Sequence, residues 1–294
     1  MKTLFFGTSE FAVPSLRVVA QRTQLAGVVT QPDRPAGRGH KMRPTPVKAA
    51  ALELGIPVFE PSSLRAFVQE LGGGFDLFAL ASYGRILPQI LLDLPKLGSL
   101  NVHPSLLPKY RGATPIQTAL RNGDAETGVS IMLMDAGMDT GDIVLQERTP
   151  IDSDERYGEL HDRLAAFGAQ ALKHALDIAA SGYIPRTPQT GVPSVTKPIA
   201  KDDLDLDWSW PVSRVVNTVR AFGPAPAARG ELLGEKMKIL RARRADRIVF
   251  GGEPGTVAGA HGEALTVRCA DGAVDILEVV PPNRRAMSAA ALVQ

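Results

Sequence analysis

The first 180 residues alternate short apolar runs with stretches of helical spacing, and no other feature limits the fold so strongly. Residues 2–6 read as a buried strand that turns at Gly7 into a helix carrying Phe11, Leu16 and Val19, with Ser9 as its N-cap and Pro14 near its start. Residues 25–30 form a second expected strand, and 76–81 and 100–102 add short apolar runs. Residues 46–54 and 114–121 are expected to be helical. Residues 129–134 and 143–146 read as strands flanking a glycine-rich loop. The clearest helix is 158–180, where Leu160, Leu164, Phe167, Ala171, Leu172 and Ala175 fall on one face. Strands that alternate with helices in this way predict an α/β fold, a Rossmann-like doubly wound, mostly parallel sheet.

The pattern changes after residue 181. Pro185, Pro188, Pro193 and Pro198 punctuate residues 182–200, which read as an extended interdomain linker. Beyond it come Asp202, Asp203, Asp205 and Asp207, then Trp208 and Trp210, then a short helix through Val215 and Val219. Short strands follow at 236–240, 255–257, 264–269 and 274–279, separated by turn signals at Gly251-Gly252, Gly259, Gly262 and Asp271-Gly272. Such spacing predicts a small OB-fold-like β-barrel. The expected organisation is a catalytic domain over 1–181, a linker over 182–200 and a C-terminal domain over 201–294.

Composition removes several classes of function. Cys269 is the single cysteine, so an internal disulfide and a cysteine-based zinc site are excluded. The apolar run at the N-terminus is too short for a signal peptide, and no window approaches the roughly 20 apolar residues of a membrane span. These features predict a cytoplasmic protein. A net charge of +2 neither demands nor excludes a nucleic-acid partner. The histidines make no ligand set: His161 and His174 fall on nearly opposite faces of one helix. Gly37-Arg38-Gly39 lacks the third glycine and the following helix of a dinucleotide fingerprint.

The chemistry concentrates in Asn101-Val102-His103-Pro104-Ser105-Leu106-Leu107-Pro108. Residues two apart on a strand share a face, so Asn101 and His103 would project together from the carboxyl end, where open α/β sheets place their ligands. An Asn donates to an oxyanion, and a His moves protons or carries positive charge. Asp139, between Gly137 and Gly141, is a carboxylate that can approach that imidazole closely. Taken singly each of these is more often structural, and an Asp in a glycine-rich loop is usually turn chemistry.

In this order, however, they resemble the folate-dependent formyltransferase family. Residues 30–39 (TQPDRPAGRG), 110–117 (YRGATPIQ), 123–129 (GDAETGV) and 138–142 (MDTGD) carry the same likeness, and it points to the tRNA-directed branch. The resemblance implies a formyl donor, 10-formyltetrahydrofolate, an acceptor amine on initiator methionyl-tRNA, and acyl transfer with no metal. It implies that Asn101, His103 and Asp139 are catalytic, and that Ser105, Leu106, Leu107 and Pro108 contact the folate. Tyr83, Gly84, Ile86 and Leu87 would line the pterin pocket. The segment 220–226 also fits, with Ala225 where a tryptophan is common.

Residues 31–48 carry Pro32, Pro35, Pro44 and Pro46 and a basic excess in which Arg34, Arg38, Lys41, Arg43 and Lys48 oppose only Asp33. A solvated charged loop is the commoner fate of such a segment. The resemblance instead implies contact with the tRNA acceptor stem by Arg34, Arg38, Lys41 and Arg43. Lys236 and Lys238 alternate on an expected strand, where an RNA-facing surface and a solvated strand edge are both open readings. A sugar-nucleotide or glycinamide-ribonucleotide formyltransferase would keep the same three polar residues. The long basic loop and the second domain argue against a small acceptor. A catalytically silent folate- or RNA-binding module would not need the polar set. The expected oligomeric state is a monomer.

Overall fold

The computed structural model describes residues 1–36, 41–247 and 251–293. By packing, the chain forms two compact units. One comprises Met1–Gly112, Thr127–Thr149 and Asp162–Val195, and the other Ala113–Glu126, Pro150–His161 and Thr196–Gln294.

The first half of the chain runs β1 (Lys2–Gly7), α1 (Val13–Arg22), β2 (Gln24–Val29), β3 (Arg34–Ala36), β4 (Lys41–Arg43), α2 (Pro46–Glu53), β5 (Val58–Phe59), α3 (Leu64–Leu71), β6 (Leu77–Ala81), α4 (Gln89–Leu92) and β7 (Ser99–His103). It continues through β8 (Arg111–Gly112), α5 (Pro115–Asn122), β9 (Glu126–Leu133), β10 (Ile143–Pro150), α6 (Tyr157–Ala179) and β11 (Val195–Thr196). Seven of these strands form one sheet in the order β10-β9-β7-β6-β1-β2-β5. β1 pairs in parallel with β2 and β6, β2 with β5 and β6 with β7, whereas β9 runs antiparallel to β7. The order reverses between β1 and β6, and β6 is buried along its whole length. A strand covered on both faces needs an unbroken apolar run rather than alternation, which is what Leu77-Phe78-Ala79-Leu80-Ala81 supplies. Phe6 and Phe78 (ring centroids 5.3 Å apart) pack in a core with Leu4, Phe67, Tyr83 and Leu91.

Two expectations are corrected here. Ser9 stands at the N-cap of a 3-10 turn, Glu10–Ala12, ahead of α1 and not of α1 itself, and its hydroxyl makes no capping bond but donates to Ser82 Oγ at 2.7 Å. The basic segment also has structure of its own: β3 and β4 pair antiparallel, with Arg34 opposite Arg43 and Ala36 opposite Lys41. Its neck is closed by the Thr30–Thr45 hydroxyl contact at 2.8 Å. Helices α3 and α4 were not expected, although Leu64, Phe67, Val68 and Leu71 of α3 fall at helical spacing; the four residues of α4 are too few to carry a periodic pattern.

The second unit contains α7 (Val212–Phe222), β12 (Ala228–Leu232), β13 (Glu235–Arg244), β14 (Val257–His261), β15 (Ala264–Cys269), β16 (Gly272–Val280) and β17 (Met287–Ser288). These strands form an antiparallel sheet in the order β12-β13-β16-β15-β14, with β17 on β16. Val215, Val219, Met237, Ile239, Leu265, Val267 and Ile276 make its core. β14 starts later than expected and runs through Gly259, and β12 was missed because Gly230 and Glu231 break its apolar pattern. Cys269 is buried there, and burial pushes its thiol up to about 11. Among the described residues no helix is long and apolar enough to cross a membrane.

Candidate active site

The sheet puts the carboxyl ends of β1, β6 and β7 side by side at the point where its strand order reverses, the position at which open α/β sheets hold ligands. The loops leaving β1 and β6 are stitched together. Thr8 N donates to Ser82 O at 3.1 Å, and Thr8 Oγ1 and Gln31 Nε2 each donate to Tyr83 O at 2.9 Å. Gly84 follows with φ +78°, a left-handed conformation that glycine adopts without strain. Ile86 stands 87% exposed, whereas Tyr83 and Leu87 are buried in the first unit's core. Of the expected pterin-loop residues, only Gly84 and Ile86 are therefore at the surface.

β7 enters beside this loop. Leu80 pairs with Asn101 on one side, and Met132 pairs with Asn101 on the other. Strand alternation puts Asn101 and His103 on one face. Asn101 is half-buried, and no hydrogen bond ties its carboxamide to another described residue. His103 is held. Its Nε2–H donates to the Tyr110 carbonyl at 2.9 Å, which fixes the tautomer and leaves Nδ1 facing Asp139 Oδ2 at 3.6 Å. That separation exceeds a hydrogen bond, so the carboxylate would attract the ring through charge only once His103 takes up a second proton. The two side chains are only 5% and 16% exposed, a setting in which water screens them weakly.

Asp139 is itself fixed from two sides. Its backbone is left-handed (φ +54°), and its Oδ2 accepts the Gly112 N–H at 2.7 Å. Asp135 Oδ1 accepts from Gly137 N at 3.0 Å and from Thr140 Oγ1 at 2.7 Å, which closes the loop. Gly141 is required by contact: an added Cβ would overlap the Leu133 carbonyl.

The segment after His103 is anchored as firmly. Ser105 Oγ donates to Lys109 O at 2.6 Å, and Ser130 Oγ donates to Ser105 O at 2.7 Å. Leu107 N donates to Ser130 Oγ at 3.1 Å, and Gln146 Nε2 reaches Leu107 O at 3.0 Å. Ser105 and Leu107 are buried, while Leu106 and Pro108 are half-buried and form what apolar wall this segment offers. Leu106 lies against Gly128 of β9, and Pro108 lies near Gly191.

The basic residues divide. Arg43 and Lys238 are exposed. Lys236 binds Asp205 at 2.9 Å, and Lys48 bridges Asp33 at 2.9 Å and Glu60 at 2.8 Å. The Glu60 and Asp33 carboxylates hold the Lys48 ammonium above the usual lysine range. Lys48 is thus a tether of the loop rather than a free cation. Arg34 and Lys41 lie on β3 and β4, and Arg38 lies outside the described residues.

Comparison with known proteins fits this geometry. The family model described as formyl transferase matches residues 1–176, and that described as formyl transferase, C-terminal domain, matches 198–294. A methionyl-tRNA formyltransferase of Symbiobacterium thermophilum is 45% identical over 302 residues, covering 100% of this chain and 92% of the relative. One from Xylella fastidiosa is 43% identical over 297 residues, covering 99% and 96%. The chain belongs to the methionyl-tRNA formyltransferase family.

As a formyl transferase it is an enzyme. Among solved structures, an N-formyltransferase from Helicobacter canadensis in complex with folinic acid and dTDP-3-aminofucose matches with a TM-score of 0.68 and 19% identity, over 94% of this chain and 98% of that one. HypX from Aquifex aeolicus in complex with tetrahydrofolic acid matches with a TM-score of 0.69 and 19% identity, over 100% of this chain and 47% of that one. At that identity the likeness speaks for the formyl transferase fold alone. One functional candidate was missed from the sequence: Gln189, in the proline-rich segment, donates to two carbonyls of the Asp139 loop. A lone Gln among prolines carries no pattern that could have marked it.

Proposed function

We propose that this chain transfers the formyl group of 10-formyltetrahydrofolate to the α-amino group of methionine on initiator methionyl-tRNA, for translation initiation. The observation that carries the reading is the approach of buried His103 to partly buried Asp139, at 3.6 Å, with a half-exposed Asn101 two residues before the ring and its donors uncommitted. The near-full-length likeness to methionyl-tRNA formyltransferases supports the choice of acceptor.

The folate supplies an activated formyl carbon, and its ring would be held by Ile86, Leu106 and Pro108 with the Ser82–Leu87 loop. The chain's own residues do the rest. Asn101 Nδ2–H donates to the formyl oxygen as negative charge develops on it. His103, oriented by the Tyr110 carbonyl, presents Nδ1 beside Asp139, so a proton leaving the attacking amine has a base at hand and the resulting imidazolium has a counter-charge. Collapse of the tetrahedral oxyanion then breaks the bond from the formyl carbon to the folate nitrogen, and the imidazolium returns that proton to the departing nitrogen. No metal is required, because an oxyanion donor and a proton carrier suffice for acyl transfer. Arg34, Arg38, Lys41, Arg43 and Lys238 are proposed to contact tRNA phosphates, with Lys236 contributing less because Asp205 already holds it. The assignment of 1–181 as catalytic domain, 182–200 as linker and 201–294 as an OB-fold-like tRNA-binding domain belongs to the same proposal. So do a cytoplasmic location and action as a monomer, since one chain supplies every residue named.

The test is formyl transfer from the same donor to methionyl-tRNA, glycinamide ribonucleotide and an amino-sugar nucleotide. Turnover confined to methionyl-tRNA is expected. Preferred formylation of either small acceptor would overturn the reading.

A further inference from the structure

The residues between α6 and β11 fall mostly in the expected interdomain linker over 182–200, and within the first unit they form a strap across the loops of the site. Thr187 and Ile143 exchange backbone hydrogen bonds at 2.8 and 3.0 Å. Ser194 accepts Tyr110 N–H through its hydroxyl at 2.8 Å and Arg111 N–H through its carbonyl at 2.9 Å, and Ser194 N donates to Pro108 O at 3.2 Å. Tyr110 is also the residue whose carbonyl orients His103.

Gln189 lies midway along this strap, half-buried between exposed Pro188 and Thr190. Its amide nitrogen donates to Asp139 O at 2.9 Å and Gly141 O at 2.8 Å. Its amide oxygen accepts from Arg111 Nε at 3.1 Å and Nη2 at 2.7 Å. The next residue, Gly112, donates its backbone N–H to the Asp139 carboxylate. One carboxamide therefore satisfies two carbonyls and a guanidinium fork, and Asp139 is held through its main chain by Gln189 and through its side chain by Gly112. Only a side chain with two N–H donors and one acceptor fits all these partners; a carboxylate would set its oxygen against two carbonyl oxygens.

We infer that Gln189, locked by Arg111, is a positioning residue that fixes the Asp139 carboxylate against His103, so that the strap is part of the catalytic apparatus. This rests on the reading in which Asp139 serves formyl transfer. Displacing a catalytic group by about 1 Å can cost about 100-fold in rate. Gln189→Glu, close in shape, is expected to lower kcat by roughly 10- to 100-fold while KM for methionyl-tRNA and Tm stay near the parent values.

The deciding measurement is a double-mutant cycle on the full chain. In an Asp139→Ala background, Gln189→Glu should cost little more, because the group it positions is already gone. An additive loss, or a Gln189→Glu enzyme with parental kcat, overturns the inference. A Gln189→Glu effect confined to Tm also overturns it and leaves a merely structural tie. Near-normal turnover of Asp139→Ala alone would instead overturn the underlying catalytic reading.

Discussion

Asn101 and His103 differ by two positions in sequence and by much more in their surroundings. His103 is buried and tied to the Tyr110 carbonyl, so truncating it empties a packed site and removes the ring's bond to that carbonyl. A loss of activity in His103→Ala would therefore mix chemistry with structure. Asn101 is half-exposed and its carboxamide holds nothing else in place, so Asn101→Ala separates the two. If it is the oxyanion donor, its removal costs about 3 to 4 kcal/mol of barrier, or roughly 100- to 1000-fold in kcat, with Tm unchanged. Single-turnover formylation of methionyl-tRNA by the variant reads this directly. A kcat within a few-fold of the parent would remove Asn101 from the chemistry.

The loop between β9 and β10 stakes its geometry on a backbone clearance. Leu133 N donates to Asp142 O at 2.9 Å, which draws the two loop ends together, and Gly141 then sits against the Leu133 carbonyl. A methyl added at Gly141 meets backbone, which cannot swing aside as a side-chain tip can. Gly141→Ala is expected to destabilise by about 1 to 3 kcal/mol and to lower turnover as Asp139 shifts. Gly73→Ala is the comparison: an added methyl there meets nothing within 4 Å, so its Tm and turnover should match the parent. Equal behaviour of the two variants would reject the argument.

The same loop marks how far the sequence could be read. The strands that carry the site were legible because β1, β6 and β7 are short apolar runs bounded by turn residues. The spacing of Asn101 and His103 followed from strand alternation. Asp139 was legible only as a residue type in a glycine-rich loop, and its approach to His103 depends on Gly112, a residue 27 positions away in sequence. The expected pterin-loop residues divide by burial, with Gly84 and Ile86 at the surface. Leu87 and Tyr83 turned inward to fill the core, a choice made by packing that local sequence does not encode. The four-residue α4, the β3–β4 pairing and the strap through Gln189 left no periodic trace, whereas α3 carries one in Leu64, Phe67, Val68 and Leu71 that was missed.

On the scale of the whole chain, a net charge of +2 says little about tRNA, because much of the positive charge is already spent internally. Lys48 is paired with two carboxylates, Lys236 and Arg229 share Asp205, and Arg121 binds Asp203 at 3.2 Å. Arg43 and Lys238 are exposed on their strands and remain open to phosphate. Counterion release makes this difference measurable: each phosphate contact adds about one unit to the slope of log affinity against log salt. Titrating methionyl-tRNA across about 50 to 200 mM salt should show a steep loss of affinity in the parent. Arg43→Ala and Lys238→Ala are each expected to flatten the slope by about one unit. Lys48→Ala should leave the slope unchanged while loosening the β3–β4 segment, because its charge is held by Asp33 and Glu60 and releases no counterion on binding. A slope that falls with Lys48→Ala and not with Arg43→Ala would reverse this division of the basic residues, and would mean that RNA displaces the two carboxylates from the loop's neck.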